Sequence, residues 1–324
     1  MLSSVSVALC THNSSRFISA QIASILDQSV LPTEVVVSDD ASTDGTVELI
    51  EQIFHERQTP VVLRVLRNPS PLGVTANFEQ AVLACRQPLI ALSDHDDVWL
   101  PDRIAGDLPL FEADPDLLLV HSDAVLIDET GQPIGANLHE SLSIRDSERE
   151  ELGTGRAFEV YLRRNLVTGA ATMFRSELLA LAVPFPPEWV HDEWLGVIAA
   201  AQGGARMSDR AVLLYRQHGS NVIGVRRPTR RNRLGRMLEH RSDRFVRLAE
   251  RAEVLSHRLD ALGTRPQWVA LGRRKEAFER TRSGYPRIRI ARIPGVLGAW
   301  RRGDYRDLSS QGSWDVIRDV VQPA

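Results

Sequence analysis

Long apolar runs are missing from this chain of 324 residues. None approaches the roughly 20 residues that a membrane-spanning helix needs, which excludes a helical channel or transporter. The opening stretch, MLSSVSVALCTHN, carries neither the basic leader nor the small-residue cleavage site of a secretory signal. Cysteine is nearly absent: Cys10 and Cys85 are all there is. Two cysteines build neither a disulfide framework nor a thiolate zinc site. Both sit in apolar surroundings and read as buried thiols, so the expected location is a reducing cytoplasm. Internal repeats and low-complexity tracts are missing too.

Apolar residues make up 43% of the chain and aromatics 6%, ample for a packed core. That length and composition fit one large domain with an appendage, or two domains. The net charge of -3 conceals an asymmetry. Residues 226–306 hold 23 Lys+Arg against 8 Asp+Glu, whereas residues 1–225 hold 15 against 31. Such a split suggests two regions with different partners, divided near Gly224.

The first hundred residues alternate β-rich runs with helical ones. VSVALC (5–10), EVVVS (34–38), VVLRVL (61–66) and PLIALS (88–93) read as strands. Helices are expected over 17–26, from about Thr43 to Arg57, and from Thr75 to Cys85. Near-continuously apolar strands separated by helices imply a mainly parallel sheet covered on both faces, an α/β fold. Further on, LLLVHSDAVLID and AVLLY read as strands, with helices over 175–181 and 192–201. Past Gly224 the pattern turns helical, with Phe245, Leu248, Ala249, Ala252, Leu255, Leu259 and Leu262 on one stripe.

In parallel sheets ligands bind beyond the carboxyl ends of the strands. Those ends carry Thr11-His12-Asn13, Asp39-Asp40, Arg67-Asn68 and Asp94-His95-Asp96-Asp97. The last is the most telling, because carboxylates so close repel one another unless a cation, a proton or water relieves them. If strand geometry persists, Asp94 and Asp96 face one spot. Two carboxylates with open positions suit Mg²⁺ or Mn²⁺ shared with substrate phosphates. A solvated turn, with Asp97 capping the next helix, would use the same residues.

The stretches VALCTHNSSRFISAQIASILDQS, VVVSDDASTDGT, NPSPLGVTANFEQA, ALSDHDDVWLPDRI, VTGAATMFR, HDEWLG and YRQHGSNVIG follow one another from residue 5 to 224. In that order they resemble the family 2 inverting glycosyltransferases. The implied fold is the glycosyltransferase-A type, a Rossmann-like mixed sheet flanked by helices. Residues 1–224 would form the nucleotide-sugar-binding catalytic domain and 225–324 a basic, mainly helical C-terminal region. Within the family the VTG, HDEW and YRQHGSNVIG runs, with GDYRDL at 303–308, resemble bacterial rhamnosyltransferases of surface-polysaccharide assembly.

The resemblance implies roles. Asp40, with Asp39 beside it, would hold the nucleotide base, and Thr11 and Asn13 would line the same pocket. Arg16 would contact the diphosphate or anchor the first helix. Asn68 and the Gly73 turn would form the loop over the sugar nucleotide. Asp94 would face the ribose and Asp96 the metal, with His218 either a second ligand or a plain turn histidine. Asp192 is the expected base that takes the acceptor proton, at a helix start that favours its charged form. Glu193 is its rival, and His191, Glu193 and Trp194 would shape the acceptor site, whereas Trp99 would pack.

The expected donor is a dTDP- or UDP-sugar, with dTDP-L-rhamnose a candidate, and the acceptor a saccharide or lipid-linked saccharide. Nucleic acid is not an expected partner, since no recognised motif accompanies the basic charge. That charge would instead pair with the acidic region or rest on an anionic membrane at its inner face. A sugar nucleotidyltransferase is the rival enzyme, but CTHNSSR after the first strand is not the glycine-rich basic phosphate loop it would need. A non-catalytic glycan- or nucleotide-sugar-binding module is the other alternative.

Overall fold

The computed structural model describes residues 4–219 and 244–323. Its first half follows the expected alternation: β1 (Val5–Thr11), α1 (Ile18–Leu26), β2 (Glu34–Asp39), α2 (Thr46–Arg57), β3 (Val62–Arg67), α3 (Val74–Ala84) and β4 (Leu89–Ser93). Strands β1, β2 and β4 are buried along their whole length, which is why their sequences are apolar without alternation. Strand β3 is half-buried, as an edge strand is. α2 begins later than expected. Asp44 accepts bonds from the backbone and side chain of Thr46 and from the Ser15 amide, so the residues before the helix form a turn.

The chain continues through β5 (Val98–Trp99), α4 (Arg103–Ala113), β6 (Leu119–Ile127), β7 (Pro133–Asn137), α5 (Leu138–Ser141), α6 (Asp146–Gly153), α7 (Ala157–Arg163), β8 (Thr172–Arg175), α8 (Leu179–Ala182), α9 (His191–Ala201) and β9 (Ala205–Arg216). Among the described residues one sheet runs in the order β3-β2-β1-β4-β8-β6-β9-β5, with β7 on β6. The first four strands are parallel, and β8 enters antiparallel to both β4 and β6. The sheet is therefore mixed and mainly parallel in its first half. Strand order reverses between β1 and β4, and a ligand crevice opens beyond the carboxyl ends at such a point.

The helix expected over 175–181 is shorter and later. Arg175 ends β8, paired with Leu89, and its buried guanidinium donates to the carbonyls of Leu117 and Phe111. A 3-10 turn, Ser176–Leu178, then leads into α8.

The chain divides into two compact units. One comprises Met1–Asp146, Val167–Ala199 and Gly203–Arg226; the other, Ser147–Leu166, Ala200–Gln202 and Arg227–Ala324. The division expected at residue 224 falls outside the described residues, and the segment Ser147–Leu166 groups with the C-terminal unit rather than the first. Phe158 in that segment lies with its ring centroid 5.1 Å from that of Trp268.

Helices Arg244–Leu262, Pro266–Ser283, Arg289–Arg301, Asp304–Leu308 and Ser313–Val321 complete the second unit. The expected stripe is the buried face of the first of these, through Phe245, Ala249, Ala252, Leu255 and Leu259. The unit's interior is also ionic. Arg282 is buried between Glu279 and Asp319, with Tyr305 donating to Asp319 at 2.7 Å. Lys275, the chain's one lysine, is buried beside them, 2.7 Å from both Glu279 and the Leu308 carbonyl.

Candidate active site

The carboxyl ends of β1 and β2 are tied into one platform. Thr11 donates to Asp39 Oδ1 at 2.7 Å, and Ser42 donates to both Asp39 oxygens through its hydroxyl and amide. Asn13, at φ 47, accepts from the Thr43 amide, and its own amide donates to Ser42. Asp39, Thr11 and Asn13 therefore stand together as expected, with Asp39 holding the turn that shapes the platform.

Asp40 is engaged differently. Its Oδ1 accepts the Leu72 amide at 2.6 Å, its Oδ2 the Gly73 amide at 3.0 Å, and Asn68 approaches at 3.4 Å. The loop preceding α3 is thus hung on the Asp40 carboxylate. Gly73 sits at φ 84, ψ 162, where only glycine is at ease, and a Cβ there would meet nothing within 4 Å. The requirement is one of backbone conformation, not space. Asn77, which sequence reasoning passed over, exchanges two bonds with Ser38 and accepts a third from Asn68. A buried asparagine in an apolar helical stripe was the available signal.

Arg16 is found apart from this platform. Its side chain is exposed, 3.3 Å from Glu129 and stacked 4.7 Å from the Phe17 ring centroid.

Past β4 the three carboxylates part company. Asp97 is buried and accepts the Arg216 amide at 2.9 Å, so it pins the end of β9 rather than capping a helix. Asp96 is buried with Oδ2 2.7 Å from His218 Nε2, and its carbonyl accepts from Arg216 Nε at 2.7 Å. The His218 ring stacks on Phe17 at 5.0 Å, and the Arg216 guanidinium covers the same ring at 4.9 Å. Asp96 and His218 are brought together as expected. Arg216 was missed, although it stands two residues before His218 in the quoted run.

Asp94 carries the electrostatic signature. Burial, reinforced by the charges of Asp96 and then Asp192, lifts its carboxyl to about 7, against a smaller pull from Arg103. Asp97 is driven upward by burial and by the charges of Asp96 and Asp94. The compensating cation, also missed, is Arg103: fully buried, donating to the Leu92 and Thr172 carbonyls, and lying 3.8 Å over the Trp99 ring. Burial lowers it to about 10 despite Asp107, Asp97 and Asp94. Trp99 packs, as expected, beneath it.

Asp192 lies in the first turn of α9. Its Oδ2 accepts the Gly169 amide at 2.8 Å and its Oδ1 the Glu193 amide at 2.6 Å, bonds that favour the carboxylate. Glu193 is half-buried one residue on. Two expectations beside it need correction. Trp194 has no exposed surface and its indole donates to the Ala182 carbonyl at 2.8 Å, so it is core and not an acceptor contact. His191 is buried too, stacked 3.8 Å from Phe78 and held neutral, at about 3, by burial. It backs Asp192 instead of lining an open surface.

A divalent cation can be tested against these groups. Among the described residues no cluster of three or more His, Cys, Asp or Glu side chains is gathered for a metal. Asp96 and His218 nevertheless converge at 2.7 Å with Asp94 beside them in sequence and field. A carboxylate with an imidazole fits Mn²⁺ or Mg²⁺ in kind, other positions being left to phosphate oxygens and water.

Comparison with known proteins adds a family model. The model described as Glycosyl transferase family 2 matches residues 6–179. An uncharacterized protein of Mycobacterium tuberculosis is 24% identical over 225 residues, 67% of this chain and 60% of that protein. The match thus spans less than two thirds of that relative's length. A dTDP-rhamnosyl transferase of Shigella flexneri, RfbG, is 24% identical over 67% of this chain and 74% of its own. Among solved structures, S. aureus TarS 1–349 in complex with UDP-GlcNAc superimposes with a TM-score of 0.52 at 16% identity, covering 97% of this chain and 89% of that one. The mannosyltransferase PcManGT of Pyrobaculum calidifontis, in complex with GDP-Man and Mn²⁺, gives 0.50 at 18% identity, covering 98% and 86%. At these identities the likeness is one of fold.

Proposed function

The chain belongs to glycosyl transferase family 2, and from that premise we propose that it transfers a sugar, with inversion, from a nucleoside diphosphate donor to a saccharide hydroxyl in surface-glycan synthesis. The donor we put first is dTDP-L-rhamnose, on the likeness to the Shigella flexneri rhamnosyl transferase. The acceptor class is a saccharide, free or lipid-linked. The observation that supports the reading is the gathering of carboxylates around the buried Asp94, whose carboxyl is raised first by burial, then by Asp96 two residues on and by Asp192 from a distant part of the chain.

In this reading Thr11, Asn13, Asp39 and Asp40 present the nucleotide platform, and the loop from Asn68 to Gly73 closes over it. Asp94 faces the ribose. Asp96 and His218 are the residues that would hold a divalent cation, which supplies positive charge where the leaving diphosphate gathers negative charge. Asp192 takes the acceptor proton as the hydroxyl oxygen attacks the anomeric carbon from the side opposite the diphosphate. The amides of Gly169 and Glu193 keep its oxygens aimed. His191 supports it from behind.

The test is release of nucleoside diphosphate from a panel of dTDP-, UDP- and GDP-sugars with Mn²⁺, together with transfer to a saccharide acceptor. Asp192→Asn is expected to lower transfer by about 10²-fold or more, with donor binding by thermal shift retained. Asp96→Asn is expected to lose the Mn²⁺-dependent part of that thermal shift as well. Transfer near the wild-type rate by either variant would remove that residue from the mechanism. Release of pyrophosphate would point to nucleotidyl transfer instead.

A further inference from the structure

Two helices of the C-terminal unit bury charged side chains while exposing a stripe of large apolar ones. In Arg289–Arg301 the charged Arg292 is fully buried, donating to the carbonyls of Pro286, Arg287 and Gln322. Val296 and Ala299 are buried beside it, but the larger apolar side chains face solvent: Ile290 is 78% and Trp300 56% exposed, with Ile293 and Leu297 between them. Their spacing of three, four and three residues makes one stripe along the helix. Ser313–Val321 repeats the inversion. Asp315, Arg318 and Asp319 are buried in ion pairs, while Trp314, Ile317 and Val321 are exposed. The two helices pack together, with Arg292 of the first bonding the backbone carbonyls of Asp319 and Gln322 at the second.

A surface helix of a globular protein turns its apolar stripe inward, so a pair that does the reverse marks a surface made to be covered. The charge around it selects the occupant. Exposed Arg287, Arg289 and Arg301 stand at the two ends of the first stripe, in a region holding 23 basic against 8 acidic residues. A second copy would bring one arginine-rich face against another, and like charges oppose that contact. Tryptophan at the edge of an apolar stripe, with arginine beside it, suits the headgroup layer of an anionic bilayer.

We propose that the outer stripes of helices Arg289–Arg301 and Ser313–Val321 are a docking face for an anionic lipid bilayer, with Trp300 and Trp314 seated at the headgroup level. The proposal deepens the transferase reading, because a lipid-linked acceptor would be met at its own surface. Its test, however, reads binding alone. The full chain is floated with phosphatidylcholine vesicles, with and without phosphatidylglycerol, at low and high salt. Wild type is expected to float with the anionic vesicles, less so as salt rises, and its tryptophan emission to shift to the blue. The W300S/W314S double variant is expected to bind about tenfold more weakly. Both side chains are solvent-exposed, so its circular dichroism and its donor hydrolysis in solution should match wild type. Equal flotation of variant and wild type, or no flotation of either, would overturn the proposal. So would a concentration-dependent dimer, seen by light scattering without vesicles and abolished in the variant. Loss of donor hydrolysis in both proteins would instead count against the transferase reading.

Discussion

His191 is an imidazole whose two nitrogens are buried and find no hydrogen-bond partner among the described residues. Burial holds it at about 3, below its ordinary 6.5, so the folded chain refuses a proton that the unfolded chain accepts between those values. Its contribution to stability is whole above pH 6.5 and is lost as pH falls toward 3. Asp94 works in the opposite sense. Lifted to about 7, it keeps a proton in the fold that the unfolded chain releases, which favours the folded form as pH falls from 7 toward 3.8. The net profile therefore hides both, and a difference measurement separates them. His191→Phe should gain on wild type by up to about 1.4 kcal/mol per pH unit between pH ~6 and ~4. Urea midpoints at several pH values check this; a difference independent of pH would mean that the imidazole titrates normally. At this scale the sequence was partly legible. The D-x-D-D run announced a concentration of charge. It did not reveal that Asp97 is spoken for by an amide 119 residues later in the chain. Trp194 was misjudged because an indole next to an acidic pair looks the same in sequence whether it faces an open cleft or the core.

Among the elements, the loop between β3 and α3 is the piece tied to the proposed donor platform through Asp40. Two backbone amides of that loop, Leu72 and Gly73, rest on Asp40. Asp40→Ala would leave them without acceptors at a cost of about 2 kcal/mol. Gly73→Ala should destabilise by about 1–3 kcal/mol through its φ of 84 alone, since a methyl there has room. Chemical denaturation gives both values, and an unchanged midpoint for Gly73→Ala would show that the loop relaxes freely. Donor affinity should fall in both variants. Strands β1, β2 and β4 were legible because burial on both faces writes an unbroken apolar run. β8, of 4 residues, and β5, of 2, are too short to establish a period, and only the last residue of β8, Arg175, fell within an expected element, the helix over 175–181. Their place is set by pairing with distant strands, which no local window contains.

For the molecule as a whole, the charge asymmetry between residues 1–225 and 226–306 was legible, but the grouping of Ser147–Leu166 with the C-terminal unit was not. Ser147–Leu166 precedes β8, α8, α9 and β9 in sequence and still groups with the C-terminal unit. That unit is held by a buried ionic cluster as much as by apolar packing. Arg282→Met should destabilise it by about 3–5 kcal/mol, because Asp319 would lose an ion-pair partner and Glu279 would be left with Lys275 alone. Calorimetry should then resolve an early transition that UDP and Mn²⁺ leave in place, and a later one that they raise. A single transition moved as a whole by the nucleotide would mean that the two units unfold as one.

The solitary lysine has a practical consequence. An endoproteinase specific for lysine has one address in this chain, and Lys275 offers it only when the surrounding helices come apart. Cleavage there, timed against denaturant, would report the opening of a single region inside an otherwise intact molecule, without any label being attached.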